Sequence, residues 1–134
     1  MLSLLYVSES RIADFATDEL SDIVAYAVRR NLQRNVTGAL AHTGTHFAQV
    51  LEGPEPVVTD LIASIRRDSR HQRIRVVRAA YQSERRFPAW GMALVDAGPD
   101  IRRLVGEVLE SDSAADWLAE RLVEEMERSA DPVI

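Results

Sequence analysis

An α+β fold, with a mixed sheet that carries two helices on one face, is what this sequence predicts, and three observations lead there. Strand-like and helix-like apolar patterns follow one another in the order strand, helix, strand, strand, helix, strand, strand. Each of the two helices has a single apolar stripe, so one layer on one sheet face buries both. Between the two middle strands lies His42-Thr43-Gly44, a short connection with glycine at hand for a positive backbone angle.

The elements are justified in turn. Leu2, Leu4 and Tyr6 alternate with Ser3, Leu5 and Val7, which suits a first strand covered on both faces. Thr17, followed by Asp18 and Glu19, starts a helix with acidic groups where its dipole favours them. Leu20, Ile23, Val24, Ala27 and Val28 form its apolar stripe, Asp22, Arg29 and Arg30 its polar face, and its end is expected near Asn31. Val36 to Ala41 and Thr45 to Leu51 read as a hairpin. Gly53, Pro54, Glu55 and Pro56 punctuate the chain before a second amphipathic helix with Val57, Val58, Leu61, Ile62 and Ile65. Ile74 to Ala80 and Met92 to Val95 complete the strands, with Arg85 to Trp90 as a loop between them.

Gly98 and Pro99 mark a boundary that divides residues 1–97 from a C-terminal extension over 98–134. Ile101, Leu104, Val105, Val108 and Leu109 give one helical pattern there; Ser113 with Asp116 caps another that carries Trp117, Leu118, Leu122 and Met126. These two helices are expected to cover the sheet face the first pair leaves bare, or a partner's equivalent of it.

Composition narrows the function. The 134 residues, 46% hydrophobic and 28% charged, suit one compact domain with a short appendage. A net charge of -5 without a basic block gives no reason to expect nucleic acid as a partner. The absence of cysteine removes disulfides, thiolate metal sites and cysteine nucleophiles. No apolar run is long enough for a bilayer and the first residues lack a basic leader, so a cytoplasmic protein away from membranes is expected. His42 and His46 lie across a bend with no third ligand at zinc spacing, so no metal is expected and both read as surface residues. No phosphate loop or nucleophile elbow is present. Glu52 reads as a strand end, and Glu124, Glu125 and Glu127 as a solvated helix face.

A few positions resist a purely structural account. Phe47, Gln49 and Leu51 share one strand face, with the amide set between two large apolar residues. Such an amide either faces water at a sheet edge or, if buried, switches hydrogen-bond partners by rotation. Tyr6, on a face with Leu2 and Leu4, is either a core tyrosine or a phenol that gives up an electron and a proton. Asn31 is a helix terminator or a ligand contact; Trp90 and Met92 are core or rim residues, or lie over a planar ligand.

Five strings in order resemble the BLUF family, the sensors of blue light using flavin: Tyr6-Val7-Ser8; Asn31 with Asn35-Val36-Thr37-Gly38; Phe47 through Gly53; Arg67-Asp68-Ser69-Arg70-His71; and Arg85 through Met92. The likeness covers about residues 1 to 96. It implies a ferredoxin-like βαββαββ sheet with FAD held noncovalently between the two helices. By position, Asn31 matches the asparagine at the isoalloxazine edge, Gln49 the glutamine between flavin and tyrosine, and Tyr6 the electron and proton donor. Phe47 belongs to the same string, Ile65, Asp68, Arg70 and His71 correspond to second-helix positions near the ring and phosphate parts, and Trp90 and Met92 to the pair that passes the glutamine's change onward. The resemblance implies light-driven transfer from the tyrosine, rearrangement of the glutamine and a red-shifted signalling state, with no substrate consumed. Ser64 stands where some members carry a basic residue, so FAD is not separated from FMN or riboflavin.

About thirty-eight residues follow Asp96, so the resemblance implies a photosensor that signals in trans, through self-association into a homo-oligomer or through a separate effector protein. Two other readings stay open: a ferredoxin-like interaction module insensitive to light, and a small hydrolase on the same fold, for which no phosphate-cradling loop is present.

Overall fold

The computed structural model describes residues 1–12, 17–88, 91–95, 97–111 and 116–132, with the backbone alone at 17, 19, 20, 131 and 132. The elements are β1 (Leu2–Ser10), α1 (Thr17–Gln33), β2 (Thr37–His42), β3 (His46–Gly53), α2 (Glu55–Arg66), β4 (His71–Tyr81), β5 (Ala93–Val95), α3 (Pro99–Glu110), α4 (Asp116–Ser129) and β6 (Ala130–Pro132). The strands form one sheet in the order β4-β1-β3-β2-β5-β6, with β2 and β5 parallel and the other neighbours antiparallel. Through β5 the elements follow the predicted ferredoxin-like chain order βαββαββ, and β6 adds one short strand.

Strand alternation sorts the core into two halves. Leu2, Leu4, Tyr6, Phe47 and Leu51 pack with Val24, Ala27, Val58, Leu61 and Ile65, the buried stripes of α1 and α2. Leu5, Val7, Ala48 and Val50, on the other face, pack with Ile101, Leu104, Leu122 and Met126. The C-terminal helices therefore cover their own sheet. Fully burying one such Leu or Met is worth about 1.5–3 kcal/mol, enough for several together to hold both helices down. Arg75 of β4 reinforces the contact by donating to the carbonyls of Val108 at 3.4 Å and Ser111 at 2.7 Å, where a cation suits the end of α3. The Ser113 cap expected for α4 lies outside the described residues.

Several expectations are corrected. Helix α1 passes Asn31 and ends at Gln33, because Asn35 takes the left-handed conformation (φ 61°) that stops it, with Val36 N–H donating to the Asn31 carbonyl at 2.8 Å. Strand β4 runs from His71 to Tyr81, longer than its apolar stretch, because β1 pairs along its whole length. His42 and His46 are half-buried rather than on the surface: the His42 ring lies 4.6 Å from that of Phe47, and its Nε2 is 2.9 Å from Ser10 Oγ.

Glu52 is much more than a strand end. Fully buried, its carboxylate accepts from Thr37 Oγ1 (3.1 Å), Gln82 Nε2 (2.9 Å), Arg86 N–H (3.0 Å) and Phe87 N–H (2.6 Å). Arg85 ties the same corner, donating to the Glu52 carbonyl at 2.9 Å and to Asn35 O at 2.8 Å. One side chain thus fixes the segment after β4 to β3. Because each buried donor left without a partner costs about 1–3 kcal/mol, Glu52→Ala is expected to lower stability by about 3 kcal/mol or more, read as a fall in urea midpoint at unchanged slope.

Candidate functional site

A cleft, open to solvent at its mouth, lies between α1 and α2 on the sheet. Tyr6, Leu40, Phe47 and Gln49 make its floor, Ile23, Tyr26, Ala27 and Arg30 the α1 wall, and Ser64, Ile65, Asp68, Arg70 and His71 the wall at the end of α2. Its mixture of apolar walls with a few polar groups suits a small organic molecule.

Floor geometry follows from register. Tyr6 of β1 is directly opposite Gln49 of β3, so both side chains rise on the same face. The Tyr6 hydroxyl donates to Gln49 Oε1 in a short buried hydrogen bond. That leaves Gln49 Nε2 turned toward Met92 Sδ at 3.5 Å, a weak acceptor that leaves the amide with donor capacity to spare. Burial raises the Tyr6 pKa far above the ordinary phenol value, helped by the negative charge of Asp68 and opposed by Arg30. The phenol therefore stays protonated at physiological pH and keeps its hydrogen for Gln49.

Asn31 is fully buried. Its Nδ2 donates to the Gly91 carbonyl at 2.9 Å, while its Oδ1 has no partner among the described residues. Gly91 packs close against α1, where an added Cβ would sit 2.7 Å from the Val28 carbonyl. Arg30 stands 5.2 Å from the Tyr26 ring, with its Nε buried and likewise unpartnered. Buried polar atoms are normally satisfied, so an open acceptor on Asn31 and open donors on Arg30 and Gln49 fit a ligand that both donates and accepts along one edge.

On the opposite wall, His71 is held between Ser8 Oγ (2.8 Å) and the Ile65 carbonyl (2.7 Å). A carbonyl only accepts, so Nε2 carries a hydrogen. Asp68 and Arg70 form a two-pronged pair, whose hydrogen bonds hold the Asp68 pKa at about 2. A carboxyl whose folded pKa is depressed contributes stability above its unfolded value of about 3.8 and loses it as pH falls toward 2. The melting temperature of wild type should thus exceed that of Asp68→Asn at neutral pH, and the gap should close between about pH 4 and pH 2.

The sequence profile of the BLUF family, described as sensors of blue-light using FAD, matches residues 1–93. The chain belongs to the BLUF family. The blue light- and temperature-regulated antirepressor BluF of Escherichia coli K12 is 40% identical over 96 residues, which cover 72% of this chain and 24% of that protein. The dark-state structure of the BLUF protein BlrB superimposes with a TM-score of 0.75 at 32% identity over 96% of both chains. BlsA in its photo-activated state matches in fold over 99% of both chains, with a TM-score of 0.82 at 23% identity. Where this BLUF chain matches the antirepressor it spans about a quarter of that relative's length. The family is that of blue-light sensors that use a flavin.

The BLUF cleft brings together most of the residues that sequence singled out. Tyr6, Phe47, Gln49, Ile65, Asp68, Arg70 and His71 line it. Asn31, next to Arg30 in the chain and fully buried, is not among the lining residues, and Met92 touches Gln49 from within the core. Gln49 is not the water-facing edge residue that was one of its two readings, since it is 5% exposed. Trp90 lies outside the described residues. Arg30 was read onto the polar face of α1, yet it lines the cleft. Its spacing of seven from Ile23 and three from Ala27 was the signal that places it on the cleft side.

Proposed function

We propose that this cleft holds FAD noncovalently and that Tyr6 and Gln49 convert blue light into a changed hydrogen-bond network, which a separate protein reads. The observation that carries the reading is the buried chain of contacts from the Tyr6 hydroxyl through the Gln49 amide to Met92. When bound, the flavin supplies blue absorption and an excited state that accepts an electron.

The chain's own groups do the rest. Asn31 Oδ1, Arg30 Nε and Gln49 Nε2 supply the polar edge, Ile23, Phe47 and Ile65 the apolar walls, and Asp68, Arg70 and His71 the side toward the cofactor's chain. Tyr6 would give up an electron and its proton together to the bound flavin, since the buried site disfavours a bare phenolate. Losing that donor releases Gln49 Oε1, and the amide rearranges, by rotation or tautomerisation, so that its two ends exchange roles. Return of both the electron and the proton to Tyr6, with reversal of the amide, restores the resting pattern. No step consumes a substrate, so the output is binding rather than turnover.

The output acts in trans, in the cytoplasm, through a homo-oligomer or a separate effector. Among the described residues no helix is long and apolar enough to cross a membrane. The cofactor is tested by denaturing the purified chain and identifying the released flavin by chromatography. FAD at about one per chain is the expected result; FMN or riboflavin would correct the cofactor, and a chain that neither carries nor takes up any flavin would overturn the function.

A further inference from the structure

The segment that follows β4 joins the two faces of the sheet. Glu52 stands three residues along β3 from Gln49, and strand alternation turns its side chain to the opposite face, the one under α3 and α4. There its carboxylate receives the backbone N–H groups of Arg86 and Phe87. Phe87 belongs to the cluster that α3 and α4 bury, whereas Met92 belongs to the cluster under α1 and α2 and touches Gln49. The guanidinium of Arg86, the residue just before Phe87, reaches α4, where it pairs with Glu120 and lies 3.9 Å from Glu127. Glu120 also pairs with Arg78 of β4, a residue off this segment.

We propose that Arg86 is the positioning residue that delivers the rearrangement at Gln49 to α4, with the Glu52 carboxylate as its pivot. When the amide exchanges its ends, the Met92 sulfur faces an oxygen in place of an N–H, and the attraction that holds the Met92 end of the segment becomes a repulsion. The other end is held at Glu52 by two backbone N–H groups and, beside them, by Arg85, so it stays in place while the Met92 end moves. Displacement at Met92 thus changes the angle at which Arg86 meets Glu120, and α4 loosens or shifts. A two-state element stands at the origin of this route, the physical requirement for such coupling.

The inference rests on the light-driven rearrangement of Gln49 proposed above, and the test separates the two. In the full chain, the light-induced absorption shift and the amide hydrogen exchange of residues 117–129 are measured in darkness and under blue light, for wild type, Arg86→Gln and Arg78→Gln. Wild type is expected to show the shift and a several-fold light-induced rise in α4 exchange. Arg86→Gln should keep the shift and lose the rise; Arg78→Gln, which breaks an equivalent pair to the same carboxylate, should keep both. Glu120→Gln, which removes the acceptor, should behave as Arg86→Gln and decides the matter if that variant does not fold. A full rise in Arg86→Gln, equal loss in both arginine variants, or a wild type that shifts without any change in α4 would overturn the relay alone. Absence of the shift in wild type would take down the underlying photoreaction and the relay with it.

Discussion

Tyr6→Phe is expected to keep its flavin and lose the light response altogether. The substitution removes one oxygen from the cleft floor and leaves the ring among Leu4, Ile65 and Phe47, so the walls that hold a planar cofactor persist. What disappears is the hydrogen that the phenol donates to Gln49, and with it a side chain able to release an electron and a proton together. Gln49 Oε1 is then a buried acceptor without its donor, at a stability cost of about 1–3 kcal/mol. The check is a light-minus-dark absorption spectrum on protein shown to be flavin-loaded. A normal reversible shift would mean that another residue supplies the electron.

Gln49→Leu is the second large effect, and it should abolish the red shift while flavin stays bound. Leucine approximates the volume of the amide but has neither of its two ends to exchange. Here the Tyr6 hydroxyl becomes the orphan, again costing about 1–3 kcal/mol. The double variant Tyr6→Phe with Gln49→Leu replaces both partners by apolar groups and should lose less stability than the two single changes summed. Urea melts of the four proteins measure that coupling. Retention of the full red shift in Gln49→Leu would remove Gln49 from the role of switch.

The fold was legible because its signals are local. Alternation in β1 and β3 separates Leu4, Tyr6 and Gln49 from Leu5, Val7 and Val50, and the two core halves follow that division. Strand β6 gave no such signal, since Ala130–Pro132 is too short for a period. It exists because it continues directly from α4 beside β5. Asn31 looked like a helix end because asparagine terminates helices, yet Asn35 does so here, four residues on.

The site was legible to the extent that short strings carry it, and opaque where long-range packing decides. That Tyr6 meets Gln49 depends on pairing register, which the residues alone did not specify. Arg30 was assigned to solvent because an arginine on a helix normally belongs there; the gap between α1 and α2 that admits it arises only when both helices dock. Glu52 was passed over for a related reason. A carboxylate next to a glycine and prolines reads as a turn, and the donors that bury it come from Thr37, Gln82, Arg86 and Phe87, far away along the chain.

The central claim is that the Tyr6–Gln49 network changes under blue light and returns in darkness. The most direct measurement is the absorption spectrum of the purified full chain in the dark, after blue illumination, and during dark recovery. The account predicts a flavin spectrum that moves modestly to the red and relaxes back with the flavin still bound. A loaded flavin whose spectrum stays unmoved by light would contradict it, and would identify the chain as a light-insensitive interaction module on the same fold.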